Sequence, residues 1–151
     1  MKTYNTKSPE ETFNLGKKIS ALLKEGDIIA FEGELGAGKT CLIKGIAKGL
    51  EIKENVTSSS FVLMRPFEGK LPVYHFDLYR LSKREELIDI GYEEFIFSNS
   101  VSLIEWAEKM GDWIGENYLT IKIEYDENDP LSRFIYFNAN GERYKKLIEN
   151  I

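Results

Sequence analysis

Hydrophobic and polar residues follow two periods along the chain, and these periods predict helices that alternate with strands. Apolar residues recur every three to four positions in residues 9–24 and 41–50, which indicates two amphipathic helices. Ser8, with Pro9 and Glu11 after it, has the pattern of a helix N-cap at the start of the first of these. Nearly continuous apolar runs, which are typical of buried strands, occupy residues 27–32, 71–76 and 101–106.

The remaining segments complete an α/β pattern. They predict two more strands, at residues 2–5 and 60–65, and two more helices, at residues 85–90 and 142–151. A turn is expected at 67–70. Residues 118–125 and 133–138 alternate apolar and polar positions, as half-exposed antiparallel strands do, and the polar segment 126–132 is expected to form a hairpin loop between them. The sequence therefore predicts a single α/β domain over 1–151, with a mixed, mainly parallel sheet flanked by helices and a C-terminal antiparallel hairpin.

Composition and charge restrict the classes of function. The 151 residues are 42% hydrophobic and carry a formal net charge of −5, which argues against a large cationic face that would bind DNA or tRNA directly. Cys41 is the only cysteine, so no internal disulfide is possible. The chain lacks a secretory signal and an apolar stretch of the ~20 residues that a membrane span needs. We expect a soluble cytoplasmic protein.

The segment GELGAGKT at residues 33–40 carries the clearest chemistry. It matches G-x-x-x-x-G-K-[ST] in full and stands between a predicted strand and a predicted helix, as a phosphate-binding P-loop requires. A chance match in so short a chain has a probability on the order of one in a hundred or less. The backbone N–H groups of such a loop cradle phosphate, Lys39 reaches the β- and γ-phosphates, and the Thr40 hydroxyl is a Mg²⁺ ligand.

Two acidic residues are candidates for the carboxylate that a P-loop also needs. Asp77 and Glu105 each end a predicted buried strand, where a carboxylate can hold Mg²⁺ or its waters and polarise the attacking water. A salt bridge or a helix cap is the structural alternative for each. The hydroxyl-rich segment 56–61 is either a γ-phosphate sensor or an ordinary loop.

The segments HFDLYRL at 75–81 and IEWAE at 104–108 are the most specific motifs of the chain. Together with several others, they resemble the TsaE (YjeE) family, the small ATPases needed for making tRNA threonylcarbamoyladenosine in bacteria. Weaker agreement comes from the P-loop, from the serine run at 56–61, from Glu85-Glu86-Leu87 with Gly91, and from Glu11-Thr12 to Leu15-Gly16. The resemblance fades after about residue 117.

The resemblance implies an ATPase with Mg²⁺ that regulates a complex of the TsaD and TsaB proteins, and that reaches tRNA only indirectly. It implies catalytic roles for Lys39, Asp77 and Glu105, and Mg²⁺ ligation by Thr40 and Glu105. Nucleotide contacts are expected from Thr12, Gly33, Leu35, Gly36, Ala37, Gly38, Lys39, Thr40, Cys41, Asp77, Trp106 and Arg133, with Asp77 near the γ-phosphate, Trp106 beside the nucleotide and Arg133 near the base.

Some residues depart from the family pattern or stay open. Ser58-Ser59-Ser60 replaces the usual Ser-Pro-Thr, so only the hydroxyl character of that loop carries over. Cys41 stands where the family often repeats Thr, and we interpret it as a small packing side chain because no paired base is evident. The lone His75 favours a structural role over a catalytic one. Arg80 is a candidate for a contact to phosphate, to a partner or to a surface carboxylate.

Three other functions remain as alternatives. A small-molecule kinase normally has more arginines than the five of this chain, and a lid insertion. A GTP-dependent switch normally has an Asn-Lys-x-Asp segment, which is absent from the sequence. A non-enzymatic module that uses nucleotide to gate assembly would need the same residues as a slow ATPase.

Overall fold

A computed structural model describes residues 1–56 and 62–151. Its strands are β1 (Lys2–Thr6), β2 (Ile28–Glu32), β3 (Met64–Glu68), β4 (Pro72–Asp77), β5 (Val101–Glu105), β6 (Tyr118–Asp126) and β7 (Asp129–Asn140). Its helices are α1 (Pro9–Ser20), α2 (Lys39–Gly49), α3 (Glu86–Asp89), α4 (Tyr92–Ile96) and α5 (Glu142–Glu149), with a 3₁₀ segment at Ala107–Ile114. Within these two ranges, no helix has the length and hydropathy to cross a bilayer.

All seven strands form one sheet in the order β1-β7-β6-β2-β5-β4-β3. The central strands β6, β2, β5 and β4 are parallel neighbours, whereas β3, β7 and β1 pair antiparallel at the edges. Five of the seven strands therefore point the same way, and only β3 and β7 run against them. The predicted mixed α/β fold with a C-terminal antiparallel hairpin is confirmed.

Each face of the sheet is covered by helices. Successive side chains of a buried strand point to opposite faces, so both faces of the sheet carry apolar residues that pack against helices. On one face, Ile29 and Phe31 of β2 pack in the same cluster as residues of α1, α2 and α5. On the other face, Ile28 and Ala30 pack with α3, α4 and the 3₁₀ segment. Strand β2 is thus buried on both sides, and this fixes the position of the loop that follows it.

The first helix starts where the sequence predicts and ends earlier. Ser8 caps it by accepting a hydrogen bond from the Glu11 N–H at 3.2 Å, and Pro9 is the first helical residue. The predicted end at residue 24 is wrong, since α1 ends at Ser20. The N–H of Lys24 donates to the Asp27 carboxylate at 2.8 Å instead of continuing the helix.

Other boundaries also differ from the prediction. The turn predicted at 67–70 lies at 69–71, because β3 extends to Glu68. The first two residues of the strand predicted at 60–65 lie outside the described ranges. The loop predicted at 126–132 is only a two-residue turn, because the Asp126 carboxylate accepts the Asn128 N–H and β7 begins at Asp129. Helix α4 and the 3₁₀ segment were not predicted.

Candidate functional site

The P-loop connects the end of β2 to the start of α2. Helix α2 begins at Lys39, and Gly38 precedes it without a side chain that could cap the helix. The first turn of α2 contains no acidic residue. The N–H groups and the positive dipole end of this helix are therefore left available for an anion.

Lys39 is a buried lysine whose ammonium group faces the loop. Its Nζ donates a hydrogen bond to the carbonyl oxygen of Gly33 and lies 3.6 Å from the centre of the Trp106 ring. Burial lowers the pKa of Lys39, and three carboxylates oppose this shift, those of Glu105, Glu108 and Asp77. A cation partly removed from water and held beside glycine backbone is suited to binding phosphate.

The two candidate carboxylates lie side by side. Asp77 and Glu105 are the last residues of β4 and β5, as the sequence predicts, and the two parallel strands pair them directly. Glu105 is buried, and its Oε2 lies 2.8 Å from Nε2 of the equally buried His75. Asp77 is half-buried and accepts the N–H of Tyr79 at 3.1 Å.

These groups line one cleft of about 330 Å³. Its walls are Leu35, Gly36, Gly38, Lys39, Thr40, Cys41, Asp77, Tyr79, Glu105 and Trp106. Every one of these residues except Tyr79 is a predicted site residue. The structure therefore brings together residues that the sequence places in three separate motifs.

Known proteins are similar to this chain over most of its length. The family model described as "Threonylcarbamoyl adenosine biosynthesis protein TsaE" matches residues 6–135. A Bacillus subtilis protein named tRNA threonylcarbamoyladenosine biosynthesis protein TsaE is 38% identical over 149 residues, which cover 98% of this chain and 92% of that protein. This chain belongs to the TsaE family. A Treponema pallidum protein of the same name is 39% identical over 78% of this chain and 87% of its own length.

A solved structure gives the same result for the fold. The crystal structure of Bacillus subtilis YdiB superposes on this TsaE family member with a TM-score of 0.81 and 36% sequence identity. The superposition covers 98% of this chain and 91% of that one. The likeness therefore extends through the C-terminal hairpin and α5, beyond residue 117, where the sequence motifs fade.

Four predicted nucleotide contacts lie outside the residues that line the cleft. The hydroxyl of the buried Thr12 lies 2.7 Å from that of Thr6 and donates to the carbonyl oxygen of Ser8. Gly33 and Ala37 offer carbonyl oxygens, the first to Lys39 and the second to Nε of Arg133 at 2.8 Å. Their contacts to nucleotide stay predictions.

Cys41 lines the cleft and is half-buried. Its thiol donates to the carbonyl oxygen of Pro9 at 3.2 Å. Burial raises the pKa of the Cys41 thiol, so the protonated form is favoured. This environment is consistent with a packing side chain and unfavourable for a nucleophile.

Two residues of the site were not assigned from the sequence. Tyr79 packs against Trp106 with ring centres 5.1 Å apart. Trp106 has φ +59°, a backbone conformation that is uncommon for a bulky residue and costs backbone energy. The sequence favours a structural role for His75, and the contact of its ring to Glu105 brings it into the site. The two-residue period of β4 contained this signal, since it puts His75 and Asp77 on the same face of the strand.

A second cleft of about 750 Å³ adjoins the P-loop near β6. Five glutamates and one lysine line it, together with Gly33, Leu35, Trp106, Ile123 and Tyr125. Burial and the charge of Glu108 raise the pKa of Glu32, whereas Lys122 opposes this shift. This side of the P-loop is unfavourable for a further anion.

Of the hydroxyl-rich segment 56–61, only Val56 lies among the described residues, and its side chain is buried.

Proposed function

We propose that this TsaE family member binds and slowly hydrolyses ATP with Mg²⁺ in the cleft around Lys39. We propose further that it thereby supports tRNA threonylcarbamoyladenosine formation by regulating a TsaD–TsaB complex. One observation carries the first proposal: a P-loop, its buried lysine and two strand-end carboxylates line the same 330 Å³ cleft. That combination is the one that P-loop phosphoryl transfer needs.

Each group of the chain has a defined role in this proposal. The N–H groups at the start of α2 bind phosphate oxygens, and Lys39 Nζ exchanges the Gly33 carbonyl and the Trp106 ring for the β- and γ-phosphates. Asp77 Oδ1 is held by the Tyr79 N–H, which restrains the carboxylate at the strand end, where it would polarise the attacking water. Catalysis of this kind rests on positioning and charge stabilisation.

The donor set also fits Mg²⁺. Thr40 offers a hydroxyl oxygen from the first turn of α2, and Glu105 offers a carboxylate that faces the same cleft. Mg²⁺ prefers oxygen ligands, and it commonly takes one or two from the protein and the others from phosphate and water. When bound, the ion neutralises charge on the phosphate oxygens.

The role in tRNA modification rests on the family and on charge. The relatives from Bacillus subtilis and Treponema pallidum are named as tRNA threonylcarbamoyladenosine biosynthesis proteins. This chain has a net charge of −5, and five glutamates line the cleft beside its P-loop. Both features oppose direct binding of the tRNA backbone, so the effect on tRNA is proposed to pass through a protein complex.

The test of ATP binding and hydrolysis compares nucleotides and variants. Binding of ATP and GTP is measured with and without Mg²⁺ by calorimetry, and phosphate release is measured for the wild type and for Lys39→Ala. We expect ATP to bind more tightly than GTP, and Lys39→Ala to abolish both binding and release. A preference for GTP would indicate a switch, phosphate transfer to a small molecule without release would indicate a kinase, and binding without release would indicate an assembly module.

A further inference from the structure

The C-terminal hairpin contacts the P-loop through two side chains. Tyr125 on β6 donates its hydroxyl to the Leu35 carbonyl at 3.2 Å, and Nε of Arg133 on β7 donates to the Ala37 carbonyl at 2.8 Å. Tyr125 and Arg133 are paired residues of the two strands, and the guanidinium carbon lies 4.6 Å from the centre of the tyrosine ring. The two side chains therefore form one stacked unit at the end of the hairpin.

The guanidinium group of Arg133 is fixed by further bonds. Its Nη1 donates to the carbonyl oxygens of Pro130 and Ser132, each at 2.7 Å. Three carbonyl oxygens and an aromatic face thus hold this side chain in place. An arginine restrained in this way is suited to supporting the loop.

The loop fits against the hairpin because of its glycines. Gly36 has φ +79°, and a Cβ at this position would lie 2.9 Å from the Tyr125 hydroxyl oxygen. A Cβ on Gly33, which has φ +141°, would lie 2.5 Å from the carbonyl oxygen of Ile123. The close approach of the hairpin is therefore possible because neither position carries a Cβ.

Planar peptide geometry relates these contacts to the direction in which the N–H groups of the loop point. In a trans peptide, the C=O of one residue and the N–H of the next point in opposite directions, and the described part of the chain contains no cis peptide. Because the carbonyls of Leu35 and Ala37 point to the hairpin, the N–H groups of Gly36 and Gly38 point away from it. Both glycines line the cleft.

We infer that Tyr125 and Arg133 are positioning residues that hold the P-loop with its Gly36 and Gly38 N–H groups directed at the phosphates. This inference rests on the proposed nucleotide binding, and it assigns to the hairpin a function that the P-loop motif does not contain. Arg133 then acts through the loop backbone, whereas the sequence led us to expect it near the base.

The central variant is Tyr125→Phe, which removes the hydroxyl and keeps the ring beneath Arg133. Affinities for ATP and for inorganic tripolyphosphate are measured by calorimetry, because tripolyphosphate reports on the phosphate site alone. We expect both dissociation constants to rise about threefold to tenfold, the effect of one lost hydrogen bond. Tyr118→Phe at the other end of β6 is the matched control and should bind as the wild type does. Arg133→Lys, which keeps the charge and loses the fork of donors, should weaken both ligands similarly.

A second measurement does not depend on binding. NMR order parameters of the Gly36 and Gly38 amides should fall in Tyr125→Phe, while those of α2 should stay unchanged. Unchanged affinities together with unchanged order parameters in both variants would overturn the inference, and so would a loss for ATP that tripolyphosphate does not share. If the wild type binds neither ligand, the proposed function fails, whereas lower order parameters in Tyr125→Phe would still support the role of the hairpin.

Discussion

Nε2 of His75 lies 2.8 Å from Oε2 of Glu105, and both side chains are buried. Strand pairing fixes this contact, because β4 and β5 are parallel neighbours whose last residues, Asp77 and Glu105, are paired. His75 restrains the orientation of a carboxylate that has little water around it. In metal sites, such partners of a ligand commonly change metal affinity by about ten- to a hundredfold.

We therefore predict that His75→Leu raises the Mg²⁺ concentration needed for tight ATP binding by about tenfold. His75→Gln keeps an N–H donor on a side chain of similar reach and should restore most of the wild-type affinity for Mg²⁺. The measurement is a Mg²⁺ titration of ATP binding by both variants, with ATP binding in EDTA as the reference. Equal Mg²⁺ dependence in His75→Leu and the wild type would contradict the positioning role.

Lys39→Met should separate binding from stability. The pKa of Lys39 is lowered in the folded state, chiefly by burial, so the protonated side chain opposes folding at neutral pH. That cost is complete below the folded-state pKa of Lys39 and fades as the pH rises from there to the ordinary pKa of 10.5. We predict that Lys39→Met loses ATP binding, while its thermal midpoint without nucleotide is no lower than that of the wild type. A folded variant with normal ATPase activity would sink the P-loop assignment.

The two strand-end carboxylates should respond differently to neutralisation. Glu105→Gln and Asp77→Asn are both expected to lower phosphate release, because each removes a charge from the cleft. Glu105→Gln should also shift the Mg²⁺ titration, since Glu105 is buried and oriented by His75, whereas Asp77 is bonded to the Tyr79 N–H. A Mg²⁺ titration that shifts only in the Asp77 variant would reverse the two assignments.

An alkaline pH dependence is expected from α5. The hydroxyl of the buried Tyr144 accepts the Ile28 N–H at 2.7 Å at the start of β2, and burial raises the pKa of Tyr144 to about 12 from 10.0. The stabilising contribution is thus complete below pH 10.0 and is lost as the pH rises through about 12. Tyr144→Phe leaves the Ile28 N–H without this acceptor and should cost about 1–2 kcal/mol at pH 7.

The measurement is urea denaturation of the wild type and of Tyr144→Phe at a series of pH values from 7 to about 12. The free energy of unfolding of the wild type should approach that of Tyr144→Phe as Tyr144 ionises. A Tyr144→Phe deficit that is the same at every pH would contradict the assigned pKa.

Local patterns predicted the centre of the site. The P-loop is a contiguous motif. The apolar runs on either side of it predict the strand before it and the helix after it. Asp77 and Glu105 were identified because each directly follows a buried run, where a carboxylate can hold Mg²⁺ or its waters. Their proximity depends in addition on the direct parallel pairing of β4 with β5, which the structure shows.

The contacts between distant segments were not predictable in the same way. Tyr125 and Leu35 are separated by 90 positions, and Arg133 and Ala37 by 96. Which hairpin residue reaches the P-loop depends on the pairing of β6 with β7 and on an irregularity between Tyr125 and Asp126. A shift of one residue would turn every side chain to the other face, and no periodicity in a single sequence fixes that register.

The last prediction concerns the partner. No arginine of the described residues lines the cleft around Lys39, since Arg133 is bonded to the loop backbone and Arg80 is exposed. An arginine supplied in cis or in trans contributes about 10³- to 10⁵-fold to P-loop hydrolysis. We therefore expect slow ATP hydrolysis by the protein alone, no change with tRNA alone, and a change of severalfold or more with the purified TsaD–TsaB pair. Steady-state phosphate release tests this, with Lys39→Ala plus the pair as the control for contaminating activity. The hypothesis is falsified if the protein alone already turns over several times per second and the pair leaves that rate unaltered.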